Sequence, residues 1–141
     1  MSEVTFLVVE DDDIDAELVM RAFKKLKIAN PVVRAKDGIE ALDLLRGTNG
    51  VDRILTPYLI LLDINMPRMS GLEFLDEVRS DPNLRRSVIF MLTTSDDERD
   101  ILRAYEQNIA GYVIKDNAHT SFHSALPMLD LYWRVVELPK K

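Results

Sequence analysis

Thr5-Phe6-Leu7-Val8-Val9-Glu10-Asp11-Asp12-Asp13 decides the fold: five residues without polar alternation run straight into four acids. A strand that fails to alternate has both faces covered, which calls for a parallel sheet with helices packed on either side. Working outward, four more short runs of the same kind follow at Pro31–Arg34, Tyr58–Leu62, Val88–Leu92 and Gly111–Ile114. The gaps between them carry helical spacing, with Ile14, Leu18, Ala22, Phe23 and Leu26 in the first and Ile39, Leu42 and Leu45 in the second. Ser70-Gly-Leu-Glu73 and Ser95-Asp-Asp-Glu98 both fit a capping box and predict the starts of the third and fourth helices. Ile101, Leu102, Tyr105 and Ile109 are then the expected buried face of the fourth. Five successive β–α units joined by right-handed crossovers make an α/β, doubly wound, five-stranded parallel sheet.

Composition narrows the class. The 141 residues, 47% of them hydrophobic, suit one domain over 1–141 with an adequate core, so a two-domain enzyme is not expected. Without cysteine there is no disulfide framework, thiolate metal site or thiol catalysis. Met1–Glu10 lacks a signal-peptide pattern and no apolar run approaches a membrane span, so the expectation is a cytoplasmic protein without a membrane partner. A net charge of −6 disfavours nucleic acid, and Arg85-Arg86 is too small a basic patch to alter that. Gly47, Asn49, Gly50 and Pro57 mark Arg46–Pro57 as an exposed excursion.

Doubly wound sheets bind ligands at the carboxyl ends of their strands. Here the first strand runs into Glu10–Asp13, the third ends at Asp63, the fourth at Thr93-Thr94 and the fifth at Lys115. Such a fold gathers Asp63 and two of the early acids. Two unit charges about 4 Å apart repel by about 1 kcal/mol in water and about 4 kcal/mol at an effective dielectric near 20, so a cation is implied. Oxygen donors alone suit Mg²⁺ and disfavour zinc. His119 and His123 are four apart, but no Glu follows His119, and they read as surface or packing residues.

Phe6-Leu-Val-Val-Glu-Asp-Asp12, Leu61-Leu-Asp-Ile-Asn-Met-Pro67 with Gly71, Met91-Leu-Thr-Thr94 and Gly111-Tyr-Val-Ile-Lys115 together resemble the receiver domain of two-component response regulators, from about Val4 to Val136. The resemblance implies a flavodoxin-like (βα)5 fold with Asp63 as phosphoacceptor. It further implies Asp11 as a direct Mg²⁺ ligand, Glu10 acting on the ion mainly through water, and Asn65 giving its backbone carbonyl. Thr93 matches the hydroxyl that bonds the phosphoryl group, Lys115 the cation that pairs with it, and Tyr112 the aromatic switch. Asn65 and Ser95 flank the path of attacking water in the family. Lys115 precedes Asp116 where most relatives have proline, and a trans bond is expected there.

The Arg46–Pro57 excursion and the tail Leu131-Tyr-Trp-Arg-Val-Val-Glu-Leu-Pro139 are similar to the single-domain regulators that serve bacterial phytochrome histidine kinases. Pro127 predicts that the fifth helix starts late, near Ser124, and the helix is expected to extend over about 120–141. Phe122, Ala125, Leu126, Leu129, Trp133 and Val136 form its core stripe. Met128, Leu131, Tyr132 and Val135 are left for an interface, expected to be that of a homodimer. The function implied is phosphoryl acceptance from a sensor histidine kinase, read out by a downstream protein from the surface of the fourth helix, fifth strand and fifth helix, without enzymatic turnover. One alternative is a Mg²⁺-dependent phosphohydrolase with an aspartate nucleophile, which needs an acid where Asn65 stands. The other is an interaction module of the same fold that is never phosphorylated.

Overall fold

The computed structural model describes residues 3–115 and 120–139. Ten elements alternate along it: β1 (Thr5–Val9), α1 (Asp13–Lys25), β2 (Val32–Ala35), α2 (Gly38–Arg46), β3 (Tyr58–Leu62), α3 (Gly71–Ser80), β4 (Val88–Thr93), α4 (Glu98–Glu106), β5 (Gly111–Ile114) and α5 (Thr120–Val135). The strands form one parallel sheet in the order β2-β1-β3-β4-β5, so the fold is the flavodoxin-like (βα)5 arrangement, with its strand order reversing between β1 and β3.

Successive strand residues feed opposite faces, and along the three central strands both faces are buried. Leu7, Val9, Ile60, Leu62, Ile89 and Met91 pack under α2, α3 and α4. Phe6, Val8, Leu59, Leu61, Phe90 and Leu92 pack under α1 and α5. That double burial is why the runs do not alternate.

Three helices depart from the expected faces. In α1 the buried residues are Ala16, Val19, Ala22 and Phe23, while Ile14 and Leu26 are exposed. Each four-residue step overshoots a full turn by about 40°, so a stripe through 14, 18, 22 and 26 winds off the sheet. For α4 the predicted capping box does not form. Asp97 is the cap, accepting from Arg99 N, so Glu98 is the first helical residue and is too early to reach back. Ala104 is the buried residue of α4; Leu102 and Tyr105 are exposed, and Ile109 is buried beyond the helix end. The capping box at Ser70 and Glu73 is present in both directions.

The fifth helix begins at Thr120, earlier than Ser124, and holds Pro127 on its exposed side. It ends at Val135, where the chain turns so that Leu138 packs back onto the α1–α5 side of the core. Leu126 and Leu129 are buried as expected, but Val136, expected in the core, is exposed. Asp116 and His119 lie outside the described residues, as do the side chains of Phe122, His123, Trp133 and Val135. Among the described residues no helix is long and apolar enough to cross a membrane.

Candidate functional site

Strand register builds the site. Val9 pairs with Leu62, so the next residue on each strand, Glu10 and Asp63, leaves the sheet side by side. Asp63 N donates to Val9 O at 3.0 Å, and Glu10 N to Ala35 O at 3.0 Å. Both side chains are buried, Glu10 at 4% and Asp63 at 8% exposure. Asp11 is exposed at the rim. One carboxylate oxygen from each of Glu10, Asp11 and Asp63 lies within 4.8 Å of the other two.

The β3–α3 connection holds Asp63 from below. Ile64 N donates to Asp63 Oδ1 at 2.8 Å, and Gly71 N to Ile64 O at 2.8 Å. A Cβ at Gly71 would overlap the carbonyl oxygen of Asp63, so glycine is what lets α3 start this close to the strand end. Asn65, two residues beyond Asp63, is exposed in this connection.

From β5, Lys115 reaches over the same corner with its side chain 2% exposed. Its ammonium lies 2.6 Å from Glu10 Oε1, 3.1 Å from Asp15 Oδ2 and 3.9 Å from Asp63 Oδ2. Burial, then the charge of Asp63, push Glu10 up to about 8 against the opposing pull of Lys115. Burial alone would discharge Lys115, but its hydrogen bond to Glu10 and the charges of Asp63 and Glu10 hold its pKa above the ordinary value. The fold thus packs Glu10 and Asp63 together in a buried corner, where Lys115 is the charge that partly compensates them.

Two contributors escape a reading of the sequence. Arg34, on β2, donates to the carbonyl of Glu10 from Nε at 3.0 Å and from Nη2 at 2.9 Å. Its Nη2 also reaches the Asp11 carbonyl at 3.1 Å, and Nη1 the Asp13 carboxylate at 2.6 Å. It braces the acidic turn while Asp12 caps α1. Asp15, in the first turn of α1, is the other. A lone guanidinium in an apolar strand was the available signal for Arg34; Asp15 had none beyond lying in an acid-rich segment.

On the other side of Asp63, Thr93 is fully buried and its hydroxyl accepts from Ser95 N at 3.3 Å. Ser95 donates its hydroxyl to Asp100 Oδ2 on α4 at 2.7 Å, and Tyr112 donates to Ser95 O at 2.9 Å. Thr93, α4 and the β5 tyrosine are thus joined through one serine. The proposed interface residues separate. Met128 and Leu131 are exposed, but Tyr132 turns inward, its ring edge-on to Phe90 with centroids 5.2 Å apart. It is half-buried and part of its ring serves the intrachain packing.

Two buried acids, a third exposed at the rim and one buried ammonium at the reversal point of a (βα)5 sheet are the arrangement of a receiver domain. The response regulator receiver domain model matches residues 6–127, and the chain belongs to that family. It is similar to the response regulator Rcp1 of Synechocystis sp. (31% identical over 94% of this chain and 91% of that one) and to the probable methanogenesis regulatory protein FilR2 of Methanothrix harundinacea (35% identical, 90% and 81%). The phosphorylated cyanobacterial phytochrome response regulator RcpA superposes with a TM-score of 0.86 at 32% identity, over 99% of each chain. The Mn²⁺-bound form of Rcp1 superposes with a TM-score of 0.82 at 31% identity, over 98% and 99%. Its relatives thus place the chain among response regulators that include phytochrome-associated members.

Proposed function

We propose that the whole chain is one receiver domain that accepts a phosphoryl group on Asp63 from a sensor histidine kinase, of the bacterial phytochrome type. The observation that carries this is the buried Asp63 carboxylate, flanked by Glu10 and Asp11 and 3.9 Å from Lys115 Nζ. An oxygen of Asp63 attacks phosphorus, the P–N bond of the phosphohistidine breaks, and the imidazole nitrogen leaves with the bonding pair. Glu10, Asp11 and Asp63, with the carbonyl of Asn65, would hold Mg²⁺; an all-oxygen donor set with excess negative charge fits a hard divalent cation. The ion supplies charge stabilisation at the transferring oxygens.

Lys115 and the Thr93 hydroxyl take the remaining phosphoryl oxygens. Drawing Thr93 toward the phosphoryl group gives up its bond from Ser95 N, and Ser95 is what ties Tyr112 and α4 to the site. The surface of α4, β5 and α5 changes accordingly and is read by a downstream protein in the cytoplasm. Exposed Met128 and Leu131 support a homodimer through this surface. There is no turnover of a substrate beyond self-phosphorylation and slow hydrolysis of the acyl phosphate. Incubation with acetyl phosphate and Mg²⁺ should add one phosphoryl mass, lost in Asp63→Asn and in excess chelator. A mass shift persisting in Asp63→Asn overturns the assignment.

A further inference from the structure

Lys115 has more acceptors than the phosphoryl chemistry requires. Its nitrogen lies 2.6 Å from Glu10, 3.1 Å from Asp15 and 3.9 Å from Asp63, so it donates to the first two and Asp63 is the farthest of the three carboxylates. Asp15 is also unlike the other two in position. It belongs to the first turn of α1, and its own N–H is fixed by the cap Asp12 at 3.1 Å. Its side chain is 23% exposed, and Asp15 is not among the acids whose oxygens cluster around Asp63. It therefore meets the site through the ammonium and not through the cation cluster.

We infer that Asp15 is a positioning residue that holds Lys115 away from Asp63 and competes with the phosphoryl group for it. A buried ammonium keeps its donors satisfied, because an unpaired donor there costs a large part of its desolvation. In the unphosphorylated chain Asp15 supplies the second hydrogen-bond acceptor, after Glu10. For Lys115 to close on a phosphoryl oxygen at Asp63, the contact to Asp15 must lengthen, and the phosphorylated state loses that much stabilisation. Asp15 thus sets the balance between the two states without touching the reacting atoms. The inference rests on Asp63 being the phosphoacceptor.

Beryllofluoride, a phosphoryl mimic that coordinates the aspartate carboxylate reversibly and can therefore be titrated, separates the two. Binding by the wild-type chain at saturating Mg²⁺, absent in Asp63→Asn, reports on the phosphoacceptor alone. Asp15→Asn, nearly isosteric and at a part-exposed helical position, should then bind the mimic roughly threefold to tenfold more tightly, in line with loss of one charge-assisted hydrogen bond. Asp15→Glu should return the affinity toward wild type. Removing any nearby negative charge also favours an anion, so the deciding readout is the double-mutant cycle: in a Lys115→Gln background, Asp15→Asn should change affinity by less than twofold. An unchanged or weaker affinity in Asp15→Asn, or a gain that persists undiminished without Lys115, overturns the inference while leaving the phosphoacceptor assignment intact.

Discussion

Charged side chains stand at both ends of the sheet, half-buried at one and buried at the other, and they are handled in opposite ways. At the amino ends of β4 and β5, Arg79 from α3 donates to the carbonyls of Gln107, Arg85, Ser87 and Asn108, at 2.6, 2.8, 2.8 and 3.2 Å. Its partners are neutral, fixed and sufficient in number. At the carboxyl ends, Glu10, Asp11 and Asp63 face one another with Lys115 as the cation among them. The first arrangement is complete as it stands. The second has like charges held together by the fold, and it gains from anything that alters their balance. Buried charge alone is thus no sign of function; uncompensated like charge at a strand end is.

The largest expected effect tests the carboxyl end. Glu10 is pushed from its ordinary 4.5 to about 8, so between those pH values the folded chain keeps a proton that the unfolded chain has released. Its contribution to stability is fully present below about pH 4.5 and is lost as pH rises through about 8. In chelator, urea titrations should show wild type losing stability relative to Glu10→Gln across this window, by on the order of a few kcal/mol. Lys115 adds no slope there, since its pKa is raised above 10.5. Saturating Mg²⁺ should flatten the difference, and parallel profiles without metal would break the contrast between the two ends.

A smaller effect is expected at the amino end. Arg79→Met keeps much of the apolar stem but strands four carbonyls, and it should cost about 2–3 kcal/mol in urea unfolding with no dependence on Mg²⁺. Phosphorylation of the folded variant by acetyl phosphate should proceed as in wild type; a large loss would show that this end is not merely structural. Least of all, Ser95→Ala removes the hydroxyl bond to Asp100 and should lower stability by about 1 kcal/mol in the unphosphorylated chain. Equal stability would mean that the link between Thr93 and α4 carries no energy before phosphorylation.

The sequence made the strands legible because double burial writes a continuous apolar run, and β1 and β3 fall where the runs do; β5, a half-buried edge strand, matches its run as well. Asp63 and Glu10 were legible as strand-end residues, since register does the rest. Helix faces were less so. In α1 and α4 the apolar residues exceed what the sheet covers, and nothing local says which of two adjacent stripes docks. The same surplus hid Tyr132, whose contact Phe90 comes from a strand 42 positions away. Asp15 and Arg34 stayed hidden for a different reason. Each reads as a solvated charge, and its partner stands 100 or 24 positions off, visible only once the sheet is ordered β2-β1-β3-β4-β5 and its strand ends are brought together.

Arg34 bears on how such domains can be recombined. Its fork on the Glu10 and Asp11 carbonyls makes β2, which contributes no ligand or nucleophile, the outer wall of the acidic turn. A protein engineer transplanting residues 5–15 into another scaffold would move the acids and leave their brace behind. The portable unit is instead the first strand, its helix and the following strand taken together, and a chimera joined between Lys25 and Val32 is the one that should accept the graft only when the recipient already carries a guanidinium at this position.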